Sequence, residues 1–402
     1  MIKRFGDGRD WFFEKRLGMF IHWGIYAIPE WHEQILWRGE MKRRDYEALA
    51  GEFNPTQFDP SVWLDAAQSA GMEFICFTTK HHDGFCMWDT AETDYNIMNT
   101  PHGRDVLKML ANECHSRGMG FGLYYSLPDW HHPNYPNKGR HHEMFGPRPG
   151  DDPNEDKYLL YVEKQVTELL TNYGDVNQLF WDVNVAEFFK PSMNELVRKL
   201  QPGIMINDRG PGPGDYKTPE REVPDGGVFP GPVLAVQSTG RESWGYRKDE
   251  DYYSHSFLMQ SIDKTLAMGG NYQLNVGPKA DGTLGAEDLA SLATIGGWYH
   301  RVKESFDNTE ACTYMLSDEG HMIRYDPALL TRKDNTIYVH VYQHPQTSGV
   351  MLHPINKKPA SAILLNDGRK LRTTIDVTPW RWKGRPALRL IDLPVNEITD
   401  EP

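Results

Sequence analysis

From Phe53 onward the apolar positions recur in one order, a helical face and then a short unbroken run, and that order predicts βα units of a parallel sheet. Trp63, Ala66, Ala67 and Ala70 fall three and four apart with Gly71 behind them, and Phe74-Ile-Cys-Phe-Thr-Thr follows as a buried strand. Leu107, Leu110 and Cys114 form the next face, closed at Gly118, before a strand from Phe121 to Ser126. Val162, Val166, Leu169 and Leu170, closed at Gly174, lead into a strand over 178–182. Met193, Leu196, Val197 and Leu200, ended by Pro202-Gly203, lead into the run from Ile204 to Arg209, and a last helix is expected around Leu258, Ile262 and Leu266. Each predicted strand ends in polar or charged residues. That favours a (β/α)8-like (TIM) barrel, which builds its site from the C-terminal strand ends. A doubly wound sheet would also give such repeats, yet no G-x-G-x-x-G follows the first strand.

Residues 210–232 are too rich in Gly and Pro for regular structure and read as a long loop over the barrel mouth. After about Asn308 the texture changes to short alternating runs with turn signals, Asn366-Asp367-Gly368 among them, which predicts an antiparallel β-sandwich. The expected organisation is therefore a barrel over 1–308 and a β-sandwich domain over 309–402, in keeping with a length of 402 residues, more than one core usually serves. The 12 Trp, 19 Tyr and 17 Phe exclude a disordered chain. The formal charge of −13 makes nucleic acid a poor partner. Cys76, Cys86, Cys114 and Cys312 have no C-x-x-C spacing, so neither a zinc ribbon nor a disulfide framework is expected. No apolar run is long enough for a bilayer, and the N-terminus lacks the apolar core of a signal peptide. The expectation is a soluble protein without membrane contact, cytoplasmic as the chain stands, periplasmic or secreted if a leader has been removed.

Candidate chemistry gathers at the strand ends. Lys80-His81-His82-Asp83 closes one strand; adjacent residues of an extended chain face opposite ways, so the His pair suits hydroxyl recognition better than joint metal chelation unless a turn intervenes. His22 closes the first apolar run, and Glu33 follows beside Trp31, a pairing of carboxylate and aromatic face that suits a sugar. Asp182 is the only carboxylate of its strand, held on a rigid element as a nucleophile must be. Arg209 is placed to keep a neighbouring carboxylate ionised or to bind a ligand oxygen. The competing readings are a His pair satisfied within the strand-end network, a core Trp beside a surface Glu, and an Asp that caps the next loop. His131, His132, His141 and His142 crowd the stretch from Trp130 to Met144, which reads as a solvated mobile lid rather than a metal site.

Five motifs in order, Arg16-Leu-Gly-Met-Phe-Ile-His-Trp-Gly, Lys80-His-His-Asp-Gly-Phe with Trp88-Asp, Gly122-Leu-Tyr-Tyr-Ser with Asp129-Trp130, Ser243-Trp-Gly-Tyr, and Gly269-Gly-Asn-Tyr-Gln-Leu-Asn-Val-Gly-Pro with Asp281-Gly282, resemble the α-L-fucosidases of glycoside hydrolase family 29. The resemblance implies retaining, exo-acting hydrolysis of terminal α-L-fucose on a fucosylated oligosaccharide, without metal or cofactor. It puts the nucleophile on Asp182 and sugar contacts on His22, Glu33, His81, His82, Tyr125 and Arg209, with Trp88 and Trp244 as aromatic faces. Tyr124 is the alternative to Tyr125, since neighbours on a strand face opposite sides. Two departures stand out. Asp182 is followed by Val183 rather than the family's Gly, and the position of the family's acid/base Glu, eight residues before Ser243, holds Ala235. A retaining enzyme needs a second carboxyl group. Three explanations remain: a chain from which that Glu has been removed, an enzyme drawing its acid from Glu242, Glu222 or Glu33, or a silent sugar-binding protein. An exo-α-L-galactosidase taking an L-galactose-containing oligosaccharide is the nearest enzyme alternative, because L-galactose is L-fucose with a C6 hydroxyl, and a homo-oligomer is compatible with the sequence.

Overall fold

The computed structural model describes residues 2–183, 188–316, 328–345, 347–377 and 385–402. Seven parallel strands form one curled sheet: β1 (Leu17–Ile21), β2 (Phe74–Lys80), β3 (Gly120–Ser126), β4 (Gln178–Asp182), β5 (Met205–Ile206), β6 (Leu234–Ser238) and β7 (Asn271–Val276), in the order β5-β4-β3-β2-β1-β7-β6. The expected helices lie between them, Pro60–Ser69, Val106–Ser116, Glu155–Asn172, Pro191–Leu200 and His255–Ala267. Asp59, Asp105, Asn154 and Ser254 cap four of these by accepting a backbone N–H of the first turn. Gly118 and Gly174 end two of them at φ of 65° and 76°, a conformation that side chains resist.

The alternation of each strand separates two apolar layers. Leu17, Met19 and Ile21 face the helices in the main core. Phe20, Phe74, Cys76, Tyr124, Phe180, Met205, Leu234 and Val236 fill the concave side. At the N-terminal end of the strands Phe74 lies over Gly18, where a Cβ would come within 2.5 Å of the ring, and Trp11 and Phe12 cover the same end.

β6, β7 and the helix Ala286–Val302 are elements that the apolar pattern does not mark. In β7 the concave-facing Asn271, Gln273 and Asn275 are all buried, so its inner face is polar and no apolar run announces it. Gln273 and Gln178 are hydrogen-bonded across the interior, and Gln178 also donates to Tyr216. The run from Ile204 is a strand only at Met205–Ile206. The stretch 210–232 is not simply a loop over the mouth, because Tyr216 bridges Asn207 beyond β5 while Lys217 and Glu220 bridge Val233 and Val236 of the other edge.

Beyond the barrel helices two antiparallel sheets follow, Glu310–Ala311 with Leu329–Lys333 and Thr336–His340, and Gly349–Leu352 with Ala387–Ile391 and Arg372–Asp376. Cys312, Leu330, Val350, Leu352, Leu388 and Leu390, drawn from both regions, share one apolar cluster. The turn expected at Asn366-Asp367-Gly368 joins Ile363 to Lys370. Leu329 packs with Phe229, Val233 and Met268, and buried His340 binds Asp263 of the helix His255–Ala267 at 2.9 Å. All four cysteines are buried and unpaired with one another. Among the described residues no helix is long and apolar enough to cross a membrane.

Candidate active site

A pocket of ≈ 470 Å³, counting space open to solvent, lies at the C-terminal ends of the strands. Its floor is strand-borne. Phe20 of β1, Tyr124 of β3 and Phe180 of β4 form one ring of side chains, and Asp182 stands above Phe180 on the same face of β4. His22, one step past β1, turns its Nδ1 to Asn275 Oδ1 at 2.6 Å; because Asn275 Nδ2 donates to Trp244 O, the imidazole is the donor and its Nε2 is free for a ligand.

His81 and His82 both line this pocket, although an extended chain would have sent them apart. β2 stops at Lys80 after a register shift from Thr78, and the turn closed by Gly84 N–H to His81 O brings the two rings to 4.2 Å. His82 Nδ1 meets Ser126 Oγ at 2.6 Å, and Ser126 donates onward to Pro128 O, so His82 Nε2 is left 3.7 Å from Asp182 Oδ2. His81 lies flat on Tyr124 with its Nδ1 buried and unpartnered. Burial holds His22 down to about 4 and pushes His81 and His82 below the ordinary imidazole range, so the three rings are neutral near pH 7.

Asp182 is the centre of the charge arrangement. Tyr124 donates to its Oδ2 at 2.7 Å and Arg209 Nη1 to its Oδ1 at 3.2 Å. Burial works to raise this carboxyl, but Arg209, His82 and the Tyr124 bond outweigh it and hold it below the usual carboxylate range. Arg209 is itself fixed by Thr218, through Nε at 2.7 Å and Nη2 at 2.9 Å. Its Nη1 also meets Glu220 Oε2 at 2.8 Å. Because both reach one nitrogen, Asp182 Oδ1 and Glu220 Oε2 are no more than about 6 Å apart, which puts the two carboxylates on the same side of the pocket.

Several expected residues lie elsewhere. Tyr125 faces the helix layer and donates to Gln165 Oε1 at 2.7 Å, so Tyr124, not Tyr125, is the pocket tyrosine. Trp88 is fully buried with its Nε1 toward Glu168, away from the pocket. Glu33 is buried behind the pocket wall, its Oε2 accepting from Ser243 Oγ, Trp244 N and Gly245 N; it thereby holds Trp244, which stacks on His22 at 5.3 Å. Ala235 sits in mid-strand with its methyl in the main core, on the face opposite Leu234 and Val236, and a carboxylate there would enter the helix layer. Glu242 and Glu222 are exposed and do not line the pocket.

Besides Gln34, two polar pocket residues were not expected from sequence. Glu220 was hidden in the Gly- and Pro-rich stretch; the signal that finds it is a period of two, Tyr216, Thr218 and Glu220, which share the concave side. The other is His142. The stretch expected to be a solvated lid is packed at both ends, with Trp130 and Glu143 buried, and His142 lines the pocket. His131 meets Glu47 and His132 lies against Tyr161.

The α-L-fucosidase family model matches residues 6–304 of the chain. The tissue α-L-fucosidase of Rattus norvegicus is 26% identical over 388 residues, 88% of this chain and 80% of that protein. Among solved structures, α-L-fucosidase isoenzyme 1 from Paenibacillus thiaminolyticus is 31% identical with a TM-score of 0.83, covering 98% of this chain and 96% of that one. A family 29 α-L-fucosidase from Bacteroides thetaiotaomicron, trapped as a covalent intermediate with 2-fluoro-fucosyl fluoride in a Glu-to-Gln variant, has 25% identity and a TM-score of 0.78 over 97% of each chain.

Proposed function

Because the chain belongs to the α-L-fucosidase family, glycoside hydrolase family 29, we propose that it is a retaining, exo-acting hydrolase of terminal α-L-fucosides with Asp182 as nucleophile and Glu220 as acid/base. The observation that carries this assignment is the pair of carboxylates on one Arg209 nitrogen at the end of a pocket whose other polar groups are neutral. In the first step Asp182 attacks the anomeric carbon while Glu220 gives its proton to the departing oxygen. The sugar is then an ester of Asp182. In the second step Glu220 takes a proton from water, which attacks the same carbon and releases Asp182 as carboxylate. Tyr124 and Arg209 stabilise that carboxylate as it re-forms. The trapped intermediate of the Bacteroides relative supports a covalent route.

His22, His81 and His82 are the hydroxyl-binding floor on this reading, and Phe20, Phe180, Val183, Val236 and Trp244 receive the C6 methyl. That apolar lining favours L-fucose over L-galactose, whose extra hydroxyl would be desolvated there, by about a hundredfold in kcat/KM. We also read 216–220 as the irregular eighth stave of a (β/α)8-like barrel, and the two C-terminal sheets as a β-sandwich beginning near 309. With the acid on Glu220, Ala235 is an ordinary core residue and turnover of a natural fucoside needs no repair at that position.

A fluorinated fucosyl donor followed by peptide mass spectrometry tests the assignment. The label is expected on the peptide containing Asp182, and Ala235→Glu is expected to cost stability without raising the rate. Label on another carboxylate, or a large gain in hydrolysis from Ala235→Glu, would overturn it.

A further inference from the structure

The pocket wall also includes residues set on loops above the floor, His142 and Gln34. His142 comes from the stretch after β3 and adopts φ of 64°, the left-handed region that few residues with a Cβ occupy. The surrounding stretch holds it there. Asp129 pairs with the buried Lys80 at 2.9 Å and accepts the N–H groups of His131 and His132. Trp130 N–H reaches His82 O at 2.7 Å, and the Trp130 indole N–H reaches His142 O at 2.8 Å. On the far side Glu143 is buried, accepting from Tyr135 and Arg140. The chain thus spends two buried carboxylates and a buried indole on fixing the backbone at 142, while Nδ1 of that ring is buried and without a partner.

The ring is also in a defined place. It lies 5.2 Å from His82, the imidazole nearest the nucleophile, with Trp37 behind it at 5.4 Å and 30°. Gln34, a loop-borne amide of the wall, accepts from Arg38 Nε with its Oε1. If the strand-borne groups take the fucose as proposed, polar groups raised above them at the Asp182 end face what is attached to the anomeric carbon. From this placement we infer that His142, with Gln34 beside it, is a specificity-determining residue that hydrogen-bonds the leaving sugar. Burial, together with the neighbouring His82 and His141, holds the imidazole down to about 3, so the ring is neutral, with one nitrogen a donor and the other an acceptor.

This rests on the fucosidase reading, and the test separates the two. His142→Gly suits the left-handed backbone and removes only the ring; His142→Asn, which also tolerates that region, keeps a shorter polar group. For both variants and the parent chain, kcat/KM is measured on an aryl fucoside and on fucosylated disaccharides. The ratio of disaccharide to aryl substrate is expected to fall about tenfold in His142→Gly, the equivalent of roughly 1.4 kcal/mol, chiefly through KM, with partial recovery in His142→Asn. An unchanged ratio, whether both substrates suffer equally or neither suffers, overturns the role of His142. Absence of aryl fucoside hydrolysis by the parent chain overturns the fucosidase reading instead.

Discussion

The floor of the pocket and its rim are built on different terms. On the floor, His22, His82 and Tyr124 each have a polar atom tied to a named partner, Asn275, Ser126 or Asp182, and all three sit on or one or two steps beyond a strand. On the rim, Glu220 and His142 come from irregular stretches, and Glu220 is exposed. A floor of that kind is preorganised for one invariant sugar. On the proposed mechanism, a rim of that kind handles what changes, namely the departing group, its proton and the incoming water.

The largest test of the division removes the one charge on the floor. Asp182→Ala is expected to lower kcat on an aryl fucoside by on the order of 10⁴-fold or more, read in steady-state assays. Azide then takes the place of the nucleophile and gives the β-fucosyl azide, identified by NMR. On the rim, Glu220→Ala should cost about 10² to 10⁴ on a natural fucoside and much less on a substrate with an acidic phenol. There azide attacks the intermediate from the opposite face, and the α-fucosyl azide is expected. The same anomer from both variants would erase the distinction between the two carboxylates.

A third test concerns pH. His22 is held near 4 in the folded chain against an ordinary 6.5, so acid favours the unfolded state. The stability it contributes is complete above pH 6.5 and is lost as pH falls toward 4, by about 3 kcal/mol over the window. Denaturant unfolding at several pH values should show that slope, flattened in His22→Asn. The smallest effect sharpens the pairing of adjacent tyrosines. Tyr124→Phe removes a bond to Asp182 and should reduce kcat about tenfold, whereas Tyr125→Phe should leave kcat alone and cost about 1 kcal/mol of stability for the bond to Gln165.

The same division decides what was legible in the sequence. A floor residue announces itself because a strand is an apolar run and its last polar residue can be counted, which is how His22, His81, His82 and Asp182 were found. Counting fails by one step where facing matters: Tyr124 and Tyr125 are equivalent in composition and differ only in which side of β3 they occupy. β7 escaped because its inner residues are amides rather than aliphatics. Glu220 and His142 lie in stretches whose Gly, Pro and His content signals only irregularity, and the bridges from Tyr216 to Glu220 depend on two strands far away in sequence. The position eight before Ser243 could be counted but not oriented, and the strand turns Ala235 away from the pocket.

The contact of Leu329 with Phe229 and Val233 bears on how the chain would fail when shortened. Val233 is also the residue that Lys217 bridges, three positions before Glu220, so the C-terminal sheets act as a buttress under the stretch that carries Glu220. Ending the chain at residue 308 would take away that buttress, and the partner of Asp263 with it, while leaving β1 to β4 untouched. Such a fragment should lose its grip on the departing sugar sooner than its grip on fucose, behaving as a lectin before it ceases to fold.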